Sequence, residues 1–242
     1  MREHAEFRPK PMVEIGGRPI LWHIMQGYLA HGFDEFVLCL GHMGSVVKDY
    51  FLHYEAMTMD FTIRPTTETP IAYHGGGDPF FSATLVDTGQ NTLTGGRIKQ
   101  TGIHLGYGRP FMVTYGDGVS DVNVFDLLAF HRSHGKLATV TAVRASSQFG
   151  VLDLAADGTV RSFAEKPKTE GWINAGFFVF EPGVFDYLDD GALEQGPLSK
   201  LASEGKLMAY KHDGFFHAMD TPKDCEHLNK LWDTGKAPWK VW

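Results

Sequence analysis

Two periodicities alternate along the first half of the chain. Pro19 to Met25 (PILWHIM) predicts a helix with proline in its first turn, ended by Gly32. Glu35 to Leu40 (EFVLCL) is a short apolar run that reads as a buried strand, and Val46 to Tyr54 has the spacing of an amphipathic helix. Strand-like ATLVDTG follows, then TGGRIK opening a helix, then the apolar run Phe111 to Tyr115, which stops at Gly116-Asp117-Gly118. A helix from Val124 to His134 and the strand ATVTAV (Ala138 to Val143) complete this half. Such βα alternation predicts an α/β domain with a mixed, mostly parallel sheet and helices on both faces. The later part is richer in β: Phe149 to Leu154, Val160 to Phe163 and the aromatic run Ala175 to Phe180. Two short helices, a strand near Leu207 to Tyr210 and a last helix from Pro222 to Trp232 finish the chain. A polar stretch from Arg64 to Pro79 is an excursion from the core, and no repeat or low-complexity tract appears. The prediction is one domain over residues 1–242, with a β-rich part at roughly 144–220.

Composition narrows the class without naming a chemistry. At 242 residues, 43% hydrophobic and 21% charged, the chain suits one large globular α/β domain. A formal net charge of −7 argues against a nucleic-acid binder, while leaving room for small anions met by a few converging lysines. Cys39 sits in FVLCL and Cys225 in a predicted helix, which suggests two buried thiols rather than a disulfide. No stretch is long and apolar enough to span a bilayer, and the first residues are charged, so a cytoplasmic enzyme is the expectation.

Several reaction classes lack their residues. There is no GxSxG elbow to partner His74-Gly75-Gly76-Gly77, no Walker A motif, and no GxGxxG opening a helix. Among twelve histidines, His131 and His134 share helical spacing without a third ligand nearby, and read as surface or capping residues.

Two aspartates stand out by context. Asp117 ends a five-residue apolar run between glycines, at the strand edge where open α/β sheets bind ligands. Asp220 follows GFFHAM and precedes Thr221-Pro222, again where an apolar run meets a helix. Each has a plain alternative: a turn residue for Asp117, a helix cap for Asp220. As a pair at two strand ends they suit Mg²⁺, which takes one or two carboxylates and completes its shell with substrate phosphates. Lys10, held between Pro9 and Pro11, and Lys166, in Ala164-Glu165-Lys166-Pro167, are either phosphate contacts or ordinary exposed lysines. Thr92-Leu93-Thr94-Gly95-Gly96-Arg97 offers hydroxyls, bare amides at a helix start and a guanidinium, suited to a nucleotide or simply to a loop leading into a helix.

With these residues in view, the chain resembles the sugar-1-phosphate nucleotidylyltransferases. The likeness runs from Phe7 to Trp242 through FRPKPMVEIGGRPILWHIM, LVDTG, TGGR, TYGDGV, SFAEKPK, INAGFFVF, MDT and GKAPWKVW. VDTG, TGGR and APWK together point to its cytidylyl branch. The resemblance implies a Rossmann-like nucleotide-diphospho-sugar transferase fold and the reaction of CTP with glucose 1-phosphate to give CDP-glucose and pyrophosphate, for polysaccharide synthesis. It implies Asp117 and Asp220 as Mg²⁺ ligands, Lys10 on the nucleotide phosphates and Lys166 on the sugar phosphate. Asn174 and Glu165 would meet sugar hydroxyls, with Thr92, Arg97, Tyr115 and Gly116 lining the cytidine side. It also implies a homo-oligomer, for which the tail APWKVW and the 64–79 stretch are candidate contact surfaces. UTP or dTTP as donor, and a non-catalytic binding protein, are the competing readings.

Family members carry a strand and a Gly-rich phosphate loop just before the RPKP segment, and neither lies within this chain. The expectation is that such a strand would be central in the sheet, so that two strand edges are open without it.

Overall fold

The computed structural model describes residues 8–66, 68, 70–75, 80–106, 108–146, 151–164 and 168–242. A 3-10 turn at Lys10–Met12 leads into a short hairpin, β1 (Glu14–Ile15) and β2 (Arg18–Pro19). Pro19 then caps α1 (Ile20–Leu29), and the chain turns back at Gly32. Next come β3 (Glu35–Leu40), α2 (Gly44–Leu52), α3 (Tyr54–Thr58) and the hairpin of β4 (Asp60–Ile63) and β5 (Ile71–His74). Of the 64–79 excursion, residues 71–74 form β5, paired with β4 just ahead of the stretch. β6 (Ser82–Asp87), α4 (Thr94–Thr101), β7 (Phe111–Thr114), β8 (Gly118–Ser120) and α5 (Val124–His134) follow.

The β-rich part holds β9 (Ala138–Ser146), β10 (Val151–Leu154), β11 (Val160–Ala164) and β12 (Lys168–Phe180). A 3-10 helix at Pro182–Tyr187, α6 (Pro197–Ser203), β13 (Leu207–His212), β14 (Phe216–Ala218) and α7 (Pro222–Asp233) complete the order.

The central sheet runs β13-β9-β12-β7, with β13 parallel to β9 and β12 antiparallel to both neighbours. β3 and β6 form a separate parallel pair. The mixed α/β sheet is as expected, but antiparallel pairing has a larger share because the long β12 runs against both of its partners. Alternation along β12 explains why both of its faces are covered. Phe177 and Val179 point into a core shared with Ile20 and Ile24 of α1, Leu127 of α5 and Trp239 of the tail. Phe178 and Phe180 point the other way, onto Ile98 of α4, Val184, Leu193 and Leu201 of α6.

Three expectations change. β3 was read as buried, yet only Leu40 of its six residues is, and Cys39 is exposed. Among the described residues β3 pairs with β6 alone and β7 with β12 alone, so each presents one edge without a ladder. Both cysteines are free thiols, as expected, but Cys225 is half-buried rather than buried. Within the tail Trp239 is 1% exposed and packs into the chain's own core, while Pro238, Lys240 and Val241 stay exposed. His131 is 1% exposed rather than a surface residue, because Thr139 and Glu181 satisfy both its ring nitrogens.

Candidate active site

β8 and β14 pair antiparallel, Gly118 opposite Ala218, so the residues just outside that ladder meet across it. The Met219 amide donates to the Asp117 carbonyl at 2.7 Å, which sets Asp117 and Asp220 side by side at the strand ends. Asp220 is not the cap of α7. Thr221 takes that position, exchanging hydrogen bonds with Asp224 in a capping box and leaving the Asp220 carboxylate outside the helix.

α7 also fixes the third member of the cluster. Asn229 Oδ1 accepts from the Gly16 amide at 2.9 Å and its Nδ2 donates to the Glu14 carbonyl at 3.1 Å, which holds the β1–β2 hairpin against the helix. The 3-10 turn ahead of that hairpin then delivers Lys10 between the aspartates. Its Nζ donates to Asp220 Oδ1 at 2.7 Å and lies 3.7 Å from Asp117 Oδ2. The hydrogen bond to Asp220 raises the lysine's pKa against the opposing effect of burial. Burial likewise raises the Asp117 carboxyl, while the Lys10 charge pulls it down. Two carboxylates thus converge on one position already held by a cation.

Tyr115 follows β7, and its amide donates to the Gly176 carbonyl. Gly176 has φ +76°, and a Cβ there would lie 2.3 Å from Tyr115 Cδ2, so only glycine lets the ring sit where it does. Asn174 Oδ1 accepts from the Gly176 amide at 2.7 Å, and its Nδ2 donates to the Tyr115 hydroxyl at 3.4 Å. Tyr115 and Asn174 therefore form one unit. Gly116 links that unit to Asp117 through the backbone.

Thr92 and Arg97 sit at the C-terminal ends of the β3–β6 pair. The Thr92 hydroxyl donates to the Thr88 carbonyl. Arg97 Nη1 donates to the Leu40 carbonyl at 3.0 Å and to Thr88 Oγ1 at 2.6 Å, tying together the ends of β3 and β6. In these contacts Arg97 braces the loop bearing VDTG. Glu165 and Lys166 lie outside the described residues.

Glu194 has no place in the sequence reading, and Thr94 enters it only as one hydroxyl of the Thr92–Arg97 segment. The Tyr115 hydroxyl donates to Glu194, and Thr94 Oγ1 donates to the other carboxylate oxygen at 3.0 Å. Glu194 has no local signature, because the pairing joins distant segments. TGGR held the one available hint, since its first glycine accommodates a close backbone approach: a Cβ on Gly95 would lie 2.7 Å from the Gly191 carbonyl oxygen.

The donor set fits a hard divalent cation: two carboxylates aimed at one point, with substrate phosphates left to complete the shell. No cluster of three or more His, Cys, Asp or Glu suited to a metal occurs among the described residues, so a purely protein-built site is not what this arrangement offers. No helix among the described residues is long and apolar enough to cross a membrane.

The nucleotidyl transferase family model matches residues 5–233. Over 245 residues the chain is 46% identical to glucose-1-phosphate cytidylyltransferase of Salmonella typhimurium, covering 100% of this chain and 95% of the relative. Mannose-1-phosphate guanylyltransferase 1 of Arabidopsis thaliana is 28% identical over 223 residues, covering 89% of this chain and 56% of the relative. Among solved structures, UDP-glucose pyrophosphorylase complexed with UDP-glucose superposes with a TM-score of 0.63 at 14% identity, covering 94% and 91% of the two chains. HddC from Yersinia pseudotuberculosis gives 0.61 at 20% identity, covering 93% and 90%. These two likenesses establish the fold, and the family match with the near-full-length relative establishes the kinship: the chain belongs to the nucleotidyl transferase family.

Proposed function

We propose that this chain transfers a cytidylyl group from CTP to α-D-glucose 1-phosphate, releasing pyrophosphate and forming CDP-glucose. The observation that carries the reading is the convergence of Asp117 and Asp220 on one cation position beside Lys10, next to the Tyr115–Asn174 unit. The 46% identity with a cytidylyltransferase supports the choice of donor and acceptor.

The chemistry asks little of the protein beyond placement. A sugar phosphate has a second pKa of about 6 and is already an oxyanion near neutral pH, so no general base is needed. The difficulty is bringing two anions into line while charge builds on the α-phosphate and the leaving pyrophosphate. Asp117 and Asp220 are the residues that would hold Mg²⁺, which when bound neutralises phosphate charge and orients the reacting oxygens. Lys10 places a permanent positive charge at the same point, and the raised pKa keeps it protonated throughout the neutral range. Asn174 retains an Nδ2 hydrogen for a sugar hydroxyl, and Lys166 is assigned to the sugar phosphate. Arg97, from α4, and Thr92 shape the nucleotide side by bracing the loop that follows β6. A cytoplasmic location and a homo-oligomeric assembly belong to the same reading, tested by fractionation and light scattering.

The test is pyrophosphate release from CTP, glucose 1-phosphate and Mg²⁺, run beside UTP and dTTP. Release with CTP alone supports the reading. Preference for UTP or dTTP moves the assignment to another donor, and CTP binding without release under every condition replaces the enzyme with a binding protein.

A further inference from the structure

Glu194 lies in neither the aspartate cluster nor any motif of the chain, yet it joins the two halves of the site. Its carboxylate receives the Tyr115 hydroxyl on one oxygen and the Thr94 hydroxyl on the other. The directions of these bonds follow from the donors available. Asn174 Oδ1 is taken by the Gly176 amide, so its Nδ2 faces Tyr115 and can only donate. The Tyr115 oxygen therefore accepts from Asn174 and must give its own proton to Glu194. On the other branch the Leu193 amide donates to Thr94 Oγ1 at 2.8 Å, leaving the threonine proton for Glu194. Every hydrogen bond in this chain therefore has one direction.

The loop that carries Glu194 is itself held. The Gly95 amide donates to the Gly191 carbonyl at 3.0 Å, and Asp189 Oδ1 accepts from the Gly191 amide at 2.8 Å. The TGGR turn at the start of α4 is thus the surface on which this loop docks. Through Glu194 that turn, on the nucleotide side, reaches the Tyr115 ring and the Asn174 carboxamide.

We propose that Glu194 is a positioning residue for the acceptor site: it fixes the Tyr115 hydroxyl and, through it, the orientation of Asn174 toward a sugar phosphate. The inference rests on the reading of Asn174 as a sugar contact. Loss of Glu194 leaves the Tyr115 proton free to rotate, so the oxygen lone pair to which Asn174 Nδ2 donates no longer has a fixed direction. Ground-state binding of the sugar phosphate weakens, whereas the aspartate cluster, which Glu194 does not touch, is unchanged.

The experiment compares wild type, Glu194→Ala, Glu194→Gln, Tyr115→Phe and the Glu194→Ala/Tyr115→Phe double variant. The expected result for Glu194→Ala is a rise of about three- to ten-fold in KM for glucose 1-phosphate, the size of one hydrogen bond, with kcat and KM for CTP within about two-fold. Glu194→Gln, which keeps an acceptor for Tyr115, recovers most of that loss. In the Tyr115→Phe background Glu194→Ala adds nothing further, because the hydroxyl through which it acts is gone. A turnover-free measurement runs alongside: in protein labelled with ¹³C at tyrosine Cζ, the resonance absent from Tyr115→Phe moves in Glu194→Ala. An unmoved resonance, an unchanged KM for the sugar phosphate, or an additive effect in the double variant overturns the proposal. Failure of wild type to release pyrophosphate overturns the proposed function instead, and the tyrosine resonance still decides the Glu194 contact.

Discussion

His23 makes the stability of the fold depend on acid in a direction and size that can be worked out. The ring is 1% exposed, and its tautomer is determined: Nε2–H donates to the Ile15 carbonyl at 2.8 Å, while Nδ1 accepts from the Trp239 indole at 3.4 Å. Trp22 and Trp232 meet it edge-on, with centroids at 5.0 and 4.6 Å. Burial lowers its pKa from 6.5 to about 4, helped by the nearby charges of Arg18 and Lys240 and opposed by the Ile15 hydrogen bond. The folded state thus holds this proton more weakly than the unfolded state, and stability falls as pH drops from about 6.5 toward 4. Weighting the two protonation curves gives a loss, relative to neutral pH, of about 2 kcal/mol at pH 5 and about 3 kcal/mol at pH 4. The perturbation is His23→Gln, which removes the titration but keeps an amide. At pH 7 it costs about 1–3 kcal/mol through imperfectly paired partners. Urea denaturation followed by tryptophan fluorescence, at pH 7, 5 and 4, isolates the residue because every other titrating group is common to both proteins. Wild type should lose about 2 kcal/mol more than the variant by pH 5. Equal losses would refute the reasoning, since they would show that His23 titrates alike in both states. The site shares in the outcome: Ile15 belongs to the hairpin that follows Lys10, and Trp239 is the residue through which the tail clasps it.

Four further outcomes follow from the same geometry. Asp220→Asn removes one carboxylate from the Lys10 position, and a loss of about a hundredfold in kcat with unchanged urea midpoint is expected, measured by pyrophosphate release. Lys10→Met should raise the KM for CTP while changing stability by less than about 1 kcal/mol, because the ion pairs it loses are half exposed. Gly176→Ala must move either the backbone from φ +76° or the Tyr115 ring from 2.3 Å, so a loss of about 1–3 kcal/mol accompanied by a raised KM for the sugar phosphate is expected. Thr139→Val breaks a chain in which His134 Nε2 donates to the Thr139 hydroxyl and that hydroxyl donates to His131 Nδ1, both at 2.8 Å. It should cost about 1–3 kcal/mol in urea with kinetics intact.

How much of this was legible in the sequence depended on the range over which each signal acts. Strand β3 and helix α5 were read to the residue, since apolar spacing and flanking turns are local. Asp117 was readable for the same reason: an apolar run that stops at a flanked carboxylate announces a strand end. That Asp220 pairs with it is suggested by its similar place where an apolar run meets a helix, but the actual juxtaposition comes from the β8–β14 ladder and the Met219-to-Asp117 bond. The exposure of β3 was misread because hydrophobicity reports what a strand could bury, whereas burial depends on whether both its edges and both its faces find partners. His131 shows the converse. A polar residue at helical spacing looks solvated until Thr139 and Glu181, on other elements, supply its hydrogen bonds. Glu194 is the limiting case: a carboxylate in a loop without periodicity, whose importance lies wholly in Tyr115 and Thr94, both distant in the chain. Motifs therefore mark groups whose neighbours lie along the backbone, such as the Gly-Asp-Gly turn. The residues that orient those groups come from elsewhere in the fold, and their roles become visible only when each donor and acceptor is followed to its partner.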